Sequence, residues 1–190
     1  MAQENNFKIE NFDKEVLREY DIRGIVGKNI NQNTAYTIGR TFGHAVKKKL
    51  QSSTIATGYD GRLTSPSLHQ ALCEGLKDSG AKVLNIGMGP TPMTYFSHFH
   101  LNADAVIMVT GSHNPSEYNG FKMVINKQSF FAENIQNLQK LIDEVKLEFS
   151  EGQIINKDIT QDYIDRNLIN INLKRKLKIA WDPGNGAMGK

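Results

Sequence analysis

The feature that most constrains the fold is a nearly unbroken apolar run that ends in a polar loop. Residues 101–108 are predicted to form a strand that continues through 109–110 and ends at Gly111. An apolar run of this kind is typical of a strand buried on both faces, as in a sheet covered by helices. The segment 111–120 has the composition of a loop, and a second apolar segment follows at 121–125. Because open α/β sheets bind ligands at the carboxyl ends of their strands, this loop is the candidate site.

The loop carries residues whose chemistry suits phosphate. Ser112 is followed directly by His113, and Lys122 lies in the returning apolar segment. A serine hydroxyl is a weak nucleophile until it is activated, and it can also carry a phosphoryl group, whose charge a lysine can neutralise. No acidic residue follows at a spacing that suggests a Ser-His-Asp relay. Taken alone, the Ser-His pair also fits an ordinary polar turn with nothing bound.

The rest of the chain alternates predicted strands and helices, which indicates an α/β fold. Helices are predicted at 33–50, 65–78, 91–98, 132–149 and 159–172, and further strands near 18–27 and at 53–57, 82–86 and 177–181. We expect a three-layer domain with a mixed, mostly parallel sheet between helices, followed by an incomplete second α/β domain. The predicted organisation is an N-terminal tail at 1–17, the first domain at 18–155 and the start of the second domain at 156–190.

Composition excludes several classes of function. The net charge of +3 is small and dispersed, which argues against nucleic-acid binding. The N-terminus is too polar for a signal peptide, and no apolar run approaches membrane-spanning length. The single cysteine, Cys73, excludes an internal disulfide and is compatible with a reducing compartment, so a cytoplasmic location is expected. His98 and His100 have metal-like spacing, but no further ligands accompany them.

Two strings carry a resemblance to a known family. Thr-Gly-Ser-His-Asn-Pro at 110–115, with Asn-Gly-Phe-Lys at 119–122, resembles the active-site loop of the α-D-phosphohexomutases. Tyr-Asp-Ile-Arg-Gly at 20–24 resembles the N-terminal signature of the phosphomannomutase/phosphoglucomutase branch, and the Gly-Pro-Thr-Pro turn at 89–92 also occurs in these mutases. The chain is therefore expected to supply a phosphohexomutase with its serine-bearing domain.

The resemblance implies roles for individual residues. Ser112 would be the phosphoserine that moves a phosphoryl group between C1 and C6 of a hexose phosphate, with a hexose 1,6-bisphosphate as intermediate and activator. Arg23 and Lys122 would spread the phosphate charge and bind substrate, and an arginine suits phosphate because its planar fork binds in bidentate fashion. Tyr20 would contact the sugar. His113 is assigned a phosphate-contacting or proton-handling role.

Three further expectations concern neighbouring residues and the metal. Asn114 is predicted to bind substrate beside the serine. Asp60 and Arg62 match the family in the loop that follows the strand at 53–57, although the family usually has an arginine where Tyr59 stands. A structural ion pair is favoured for them over direct catalysis. Ser112 is also the predicted magnesium ligand, through its phosphate oxygen.

Most of the family's functional loops are not found in these 190 residues. The aspartates that complete the magnesium site belong to a second-domain loop, and the sugar-binding and distal phosphate-binding loops belong to later domains. We therefore expect a truncated gene product, a pseudogene fragment or a deliberately shortened chain, inactive alone.

Two alternatives stay open. In one, the chain is a non-catalytic α/β domain that associates with a second copy through the unpaired strand at 177–181. In the other, it belongs to a phosphoglucosamine or phosphopentose mutase. Those branches usually carry a different N-terminal signature from that at 20–24, which makes the second alternative the less favoured reading of the enzyme class.

Overall fold

The computed structural model describes residues 6–144, 147–184 and 186–187. Seven strands and five helices are assigned within those ranges. In chain order they are β1 (Ile22–Ile25), α1 (Gln32–Leu50), β2 (Thr54–Tyr59), α2 (Ser65–Asp78), β3 (Lys82–Met88), α3 (Thr91–His100), β4 (Ala105–Val109), β5 (Tyr118–Ile125), β6 (Gln128–Ser129), α4 (Glu133–Glu144), β7 (Gln153–Asn156) and α5 (Thr160–Leu168).

The strands form one mixed sheet in the order β1-β5-β4-β2-β3-β7, with the short β6 paired to β5. The pairs β2–β3, β2–β4 and β3–β7 are parallel, and they are connected by helical crossovers. The pairs β1–β5 and β4–β5 are antiparallel. The predicted fold class, a mixed sheet between helices, is confirmed.

Alternate residues of the central strands enter different apolar clusters, as expected for a sheet covered on both faces. Ile55, Val83 and Ile107 belong to the main cluster with α1 and α2. Their neighbours Ala56 and Val106 pack in a second cluster on the other face. All five residues of β4 are buried, which confirms the expectation drawn from its apolar run.

The pairing of α1 with α2 depends on a close approach of their backbones. A Cβ at Gly39 would meet the backbone of Leu72, and one at Gly75 would meet the carbonyl of Tyr36. The start of α1 is fixed by a capping box. The Asn31 side chain accepts hydrogen bonds from two helix amides, and the Thr34 hydroxyl accepts one from the Asn31 backbone amide. These two glycines therefore have a packing role at the contact between α1 and α2.

The prediction of an N-terminal tail is wrong for the part that the structure describes, because that part packs against the domain. Phe12, Val16 and Leu17 are buried in the main core, and Leu17 forms an isolated bridge with Ile22 of β1. Burying three large apolar side chains is favourable by roughly 1.5–3 kcal/mol each. The polar residues between them hid this packing in the sequence.

Two boundaries in the first domain also differ from prediction. The fourth strand begins at Ala105 rather than residue 101, because α3 continues to His100 and a turn with Asn102 at φ +48° follows it. The predicted boundary between the first and second domains, at 155/156, falls inside β7, which extends the sheet edge beside β3. The strand follows from Ile154 and Ile155, which pack on opposite faces of that edge.

The C-terminal region departs most from prediction. The helix predicted at 159–172 is confined to α5, and the strand predicted at 177–181 is not formed; Leu177, Ile179 and Trp181 are exposed. A strand requires a paired neighbour to satisfy its backbone groups, and within the described residues this segment has none. Helix α4 ends earlier than predicted, at Glu144, and 145–146 lie outside the described residues. Nowhere in the described ranges does a helix have the length and apolar content needed to cross a membrane.

Candidate active site

Ser112 lies just beyond the carboxyl end of β4, in the predicted loop. Its backbone adopts the left-handed conformation, with φ +53°, which non-glycine residues rarely adopt. The Ser112 amide donates to the Thr110 hydroxyl at 2.9 Å. Its side chain is exposed, with the hydroxyl oxygen 3.2 Å from Nδ1 of His113. The structure therefore places the His113 ring beside the Ser112 hydroxyl.

Asp60 holds the first half of the serine loop. Its Oδ2 accepts from the Thr110 hydroxyl at 2.9 Å and from the Gly111 amide at 3.0 Å. Its Oδ1 accepts from the Arg62 amide at 3.1 Å and from the Ser65 hydroxyl at 2.6 Å. Both carboxylate oxygens are thus used to join the end of β2, the start of α2 and the start of the loop.

Arg62 holds the second half of the loop. Its Nη1 donates to the carbonyls of Pro115 at 2.6 Å and Tyr118 at 3.0 Å. Its Nη2 donates to the carbonyls of Ser112 at 3.1 Å and Asn114 at 2.5 Å. The guanidinium also lies near Asp60, with 3.5 Å between Nε and Oδ2. These contacts are consistent with a structural role for the Asp60–Arg62 ion pair, which was favoured over direct catalysis. The two side chains bind more of the loop backbone than an ordinary ion pair would.

Asn119 closes the network from the end of the loop. Its side chain is fully buried, and its amide nitrogen donates to the hydroxyls of Thr64 and Ser65, each at 2.9 Å. Thr64 is the residue that precedes α2, and the Ser65 hydroxyl donates to Asp60. Asn114 donates its side-chain amide to the Gly111 carbonyl at 2.9 Å, so part of its side chain is engaged inside the loop.

The predicted cations Arg23 and Lys122 meet at a residue that the sequence analysis did not select. Asp21 forms an ion pair with Arg23, and the Lys122 ammonium lies 3.3 Å from the same Asp21 oxygen. We call these three residues the Asp21 cluster. The strand register determines where this cluster lies on the sheet: Arg23 of β1 lies opposite Gly120 of β5, and Lys122 of β5 lies opposite Met108 of β4.

The Asp21 cluster and the serine loop are joined through one backbone unit. Gly120 is paired with Arg23 across β1–β5, and its carbonyl accepts from the Thr110 amide at 2.9 Å. A Cβ at Gly120 would meet the Ile22 carbonyl and the Arg23 backbone, so the close strand pairing requires glycine there. The Asp21 cluster and the serine loop therefore lie at the same end of the β1-β5-β4 portion of the sheet.

Tyr20 and Ser112 line different depressions in the surface. Tyr20 is 70% exposed and lies at an open pocket shared with Tyr95, Phe99 and Lys122. Ser112 and Asn114 line a second depression, formed with the loops after β2 and β3. A hydrogen bond and the charge of Glu19 raise the pKa of Tyr20. Thus the predicted sugar contact and the predicted nucleophile approach the sheet end from two sides.

Two buried groups beneath this end have shifted pKa values. Burial lowers the pKa of His69 to about 4 and raises that of Cys73 to about 12, and the Cys73 sulfur lies 3.6 Å from the His69 ring. Cys73 is buried in the core. The His69 ring packs on Tyr59, with 4.8 Å between ring centroids, directly before Asp60 in the chain.

The residues near Ser112 do not by themselves suit a metal ion. Across the described ranges, no group of three or more His, Cys, Asp or Glu side chains is placed to hold one. Asp60, the carboxylate beside the loop, already has hydrogen-bond partners on both oxygens. His98 is buried, whereas Nε2 of His100 lies 3.2 Å from the Asp162 carboxylate. The two histidines therefore lie in different environments.

Comparison with known proteins identifies the family. Residues 14–148 match the family model described as phosphoglucomutase/phosphomannomutase, alpha/beta/alpha domain I. That match covers most of the chain, and it includes the serine loop, β1 and the whole Asp21 cluster. The chain belongs to the phosphoglucomutase/phosphomannomutase family.

Relatives and solved structures agree with this assignment. The chain is 41% identical to a phosphoglucomutase of Neisseria meningitidis over 181 residues, covering 94% of this chain and 39% of the relative. It is 38% identical to a phosphomannomutase/phosphoglucomutase of Pseudomonas aeruginosa over 174 residues, covering 92% and 37%. A phosphoglucomutase/phosphomannomutase family structure from Burkholderia thailandensis superposes with TM-score 0.80 at 36% identity, covering 86% of this chain and 37% of that one. The chain therefore spans about two fifths of the length of the curated relatives it matches.

Proposed function

We propose that the protein containing this chain is a phosphohexomutase that moves a phosphoryl group between C1 and C6 of a hexose phosphate through a phosphoserine at Ser112. The observation that carries the proposal is the placement of Ser112. Its exposed hydroxyl follows a fully buried strand, on a loop whose backbone is fixed by Asp60 and Arg62. A group that must accept and return phosphate repeatedly benefits from such fixed geometry.

The transfer breaks one P–O bond and forms another. A sugar hydroxyl attacks the phosphorus of phosphorylated Ser112, the bond to the serine oxygen breaks, and a hexose bisphosphate forms. The proton lost by the sugar hydroxyl must leave, and the serine oxygen must gain one. His113, whose Nδ1 lies 3.2 Å from that oxygen, is the residue we assign to proton handling or to phosphate contact. After the sugar reorients, the second transfer runs in reverse.

The cations of the Asp21 cluster are proposed to bind the phosphate charge. Phosphoryl transfer passes through a loose transition state in which charge is spread over the equatorial oxygens, so positioned cations stabilise it. Arg23 and Lys122 now share the Asp21 carboxylate, and an incoming phosphate would compete with that carboxylate for them. Exposed Tyr20, beside Lys122, is proposed to contact the sugar ring, and Asn114 to bind substrate next to Ser112.

Magnesium is proposed as the cofactor, with the phosphate oxygen of Ser112 as the ligand that this chain supplies. A bound Mg²⁺ would neutralise part of the phosphoryl charge, and it needs several oxygen ligands in near-octahedral array. The described residues around Ser112 do not provide that set. We therefore expect the 190-residue chain to show no mutase turnover alone.

Substrate choice and location are also proposals. The relatives that match are named phosphoglucomutase and phosphomannomutase, which favours glucose and mannose phosphates over glucosamine or pentose phosphates. The lone cysteine, buried and reduced, is compatible with a cytoplasmic enzyme. Self-association through 177–181 stays a prediction; in the single chain that segment is exposed and is not assigned as a strand.

The test uses the longer protein that contains this chain. Wild type, Ser112→Ala and Ser116→Ala are assayed with glucose, mannose and glucosamine phosphates in a coupled assay, and Ser112 phosphorylation is followed by intact mass. Ser116 is a matched control, since it is an exposed serine of the same loop. We expect turnover with wild type and the control, and loss of both turnover and phosphate uptake with Ser112→Ala. Normal turnover by Ser112→Ala refutes the proposal.

A further inference from the structure

We propose that Arg62, anchored by Asp60, is a positioning residue that sets the backbone of the serine loop so that Ser112 can receive and return the phosphoryl group; this inference rests on the function proposed above. The guanidinium donates to four backbone carbonyls between residues 112 and 118, and one of them belongs to Ser112 itself. Within the described ranges, no other side chain forms as many hydrogen bonds with this loop.

The geometry requires an arginine. A guanidinium has two terminal nitrogens with two N–H donors each in a fixed plane, and here each nitrogen serves two carbonyls. A lysine has a single nitrogen with three donors, so it cannot span four carbonyls at this spacing. Because both terminal nitrogens of Arg62 are engaged with the loop backbone, its task differs from that of Arg23, which is proposed to bind phosphate.

Asp60 and Arg62 hold the loop on opposite sides of the serine. Asp60 accepts from Thr110 and Gly111, immediately before Ser112. Arg62 donates to carbonyls from Ser112 onward. A Cβ at Gly111 would collide with the Arg62 guanidinium, which shows how tightly the side chain is enclosed by the loop. The Ser112 hydroxyl itself is bonded to neither residue; its contact is with His113.

The network also accounts for the unusual backbone of Ser112. A non-glycine residue in the left-handed region costs on the order of 1–3 kcal/mol unless its surroundings hold it there. Asp60 binds groups before that φ angle and Arg62 binds carbonyls after it, so the two side chains together oppose relaxation. Loss of the guanidinium should let Ser112 move by enough to misalign its oxygen, while the phosphate-binding cations stay in place.

The experiment compares Arg62→Ala and Arg62→Lys with Arg166→Ala, an exposed arginine on α5 that serves as matched control. In the enzyme that contains this chain we expect kcat to fall roughly 100-fold or more in both Arg62 variants, since a 1 Å misplacement costs about that much. KM should change less than about threefold, because the phosphate ligands are untouched. Added guanidinium should restore part of the kcat of Arg62→Ala and leave Ser112→Ala inactive.

A second measurement separates this inference from the proposed function. In the 190-residue chain, amide hydrogen exchange should accelerate at 111–118 in Arg62→Ala and remain unchanged in Arg166→Ala, whatever reaction the protein catalyses. Absence of mutase activity in the wild-type protein would count against the proposed function but not against the positioning role of Arg62. The positioning role is overturned if Arg62→Ala keeps its kcat within threefold, if only KM rises, or if exchange at 111–118 does not change.

Discussion

The serine loop and the Asp21 cluster meet at one end of the sheet, yet they are held in different ways. In the loop, polar groups from Asp60, Arg62 and Asn119 are matched to neighbouring donors and acceptors. In the Asp21 cluster, two cations share a single carboxylate, and Nε of Arg23 is buried without a hydrogen-bond partner. The loop is thus preorganised, whereas the Asp21 cluster keeps one buried donor without a partner.

This difference suggests a division of labour between the two regions. In the proposed reaction Ser112 must return to one position after each transfer, which suits a backbone fixed by side chains that take no part in the bond changes. The proposed phosphate-binding cations must release and accept phosphate, which suits a carboxylate that can be displaced.

Gly120→Ala should have the largest effect, since Gly120 links both regions. Its Cβ would meet the Ile22 carbonyl, forcing β1 away from β5 and separating Arg23 from the loop. We expect the free energy of unfolding to fall by about 3 kcal/mol, as for a severe overpacking substitution. Urea denaturation of the two proteins measures this change.

Gly61→Ala is the control for that substitution. A Cβ at Gly61 would find only ordinary van der Waals contacts, so its effect should stay within about 0.5 kcal/mol. Equal losses in the two variants would show that the close pairing at Gly120 is not what joins the regions.

Acid should weaken the core beneath the loop through His69. Its folded pKa of about 4 lies below the unfolded value of 6.5, so the unfolded chain binds the proton more readily. Stability is therefore fully present above pH 6.5 and falls as pH drops toward 4, by on the order of 3 kcal/mol. Denaturant titrations at several pH values measure the slope.

His69→Gln should flatten that slope, although packing loss will lower its stability at neutral pH. His113→Gln, in the exposed loop, serves as control and should keep the wild-type slope. An unchanged slope in His69→Gln would assign the acid sensitivity to other groups, such as His98, whose pKa burial also lowers.

Asp21→Asn should make phosphate binding tighter. Removing the carboxylate charge leaves Arg23 and Lys122 available to an anion, so we expect roughly tenfold tighter binding, equivalent to about 1.4 kcal/mol. Calorimetry with glucose 6-phosphate measures the dissociation constant. Asp165→Asn on exposed α5 is the control and should bind as wild type does. Weaker binding in Asp21→Asn would mean that the carboxylate orients the cations rather than competing for them.

Ser112→Gly should have the smallest effect on stability, in the stabilising direction. Glycine adopts φ +53° without steric cost, and this relief outweighs its greater freedom in the unfolded chain by less than about 1 kcal/mol. Ser116→Gly, at a residue without positive φ, should instead be slightly destabilising. Thermal unfolding distinguishes them, and a destabilised Ser112→Gly would show that the loop imposes no strain on the serine.

The sequence predicted the elements whose signals are local. The strand β4 followed from its apolar run, and the serine loop followed from a string of adjacent residues. Arg23 and Lys122 were selected as phosphate-binding cations, and the structure places both at Asp21. Their role toward phosphate, like those of Tyr20 and Asn114, stays a prediction.

What the sequence did not predict depends on tertiary contacts. The meeting of Arg23 and Lys122 at Asp21 arises from the register of β1 on β5, which no local pattern specifies. The reach of Arg62 across the loop depends on where β2 ends relative to β4, although its spacing from Asp60 in a loop after a strand was a usable signal. The apolar character of 177–181 indicated a strand, but apolar content cannot supply a pairing partner.

The arrangement of β4, β5 and β1 has a consequence for how the site assembles. Ser112 lies in the loop between β4 and β5, and Lys122 lies on β5. These two strands are consecutive and antiparallel, so they can form a hairpin by closing a short loop. Arg23 reaches the same place only after roughly a hundred intervening residues have been brought together, which is a slower search for a folding chain. We therefore expect Ser112 and Lys122 to belong to an early kinetic unit, and Arg23, the arginine of the proposed phosphate-binding set, to join them later.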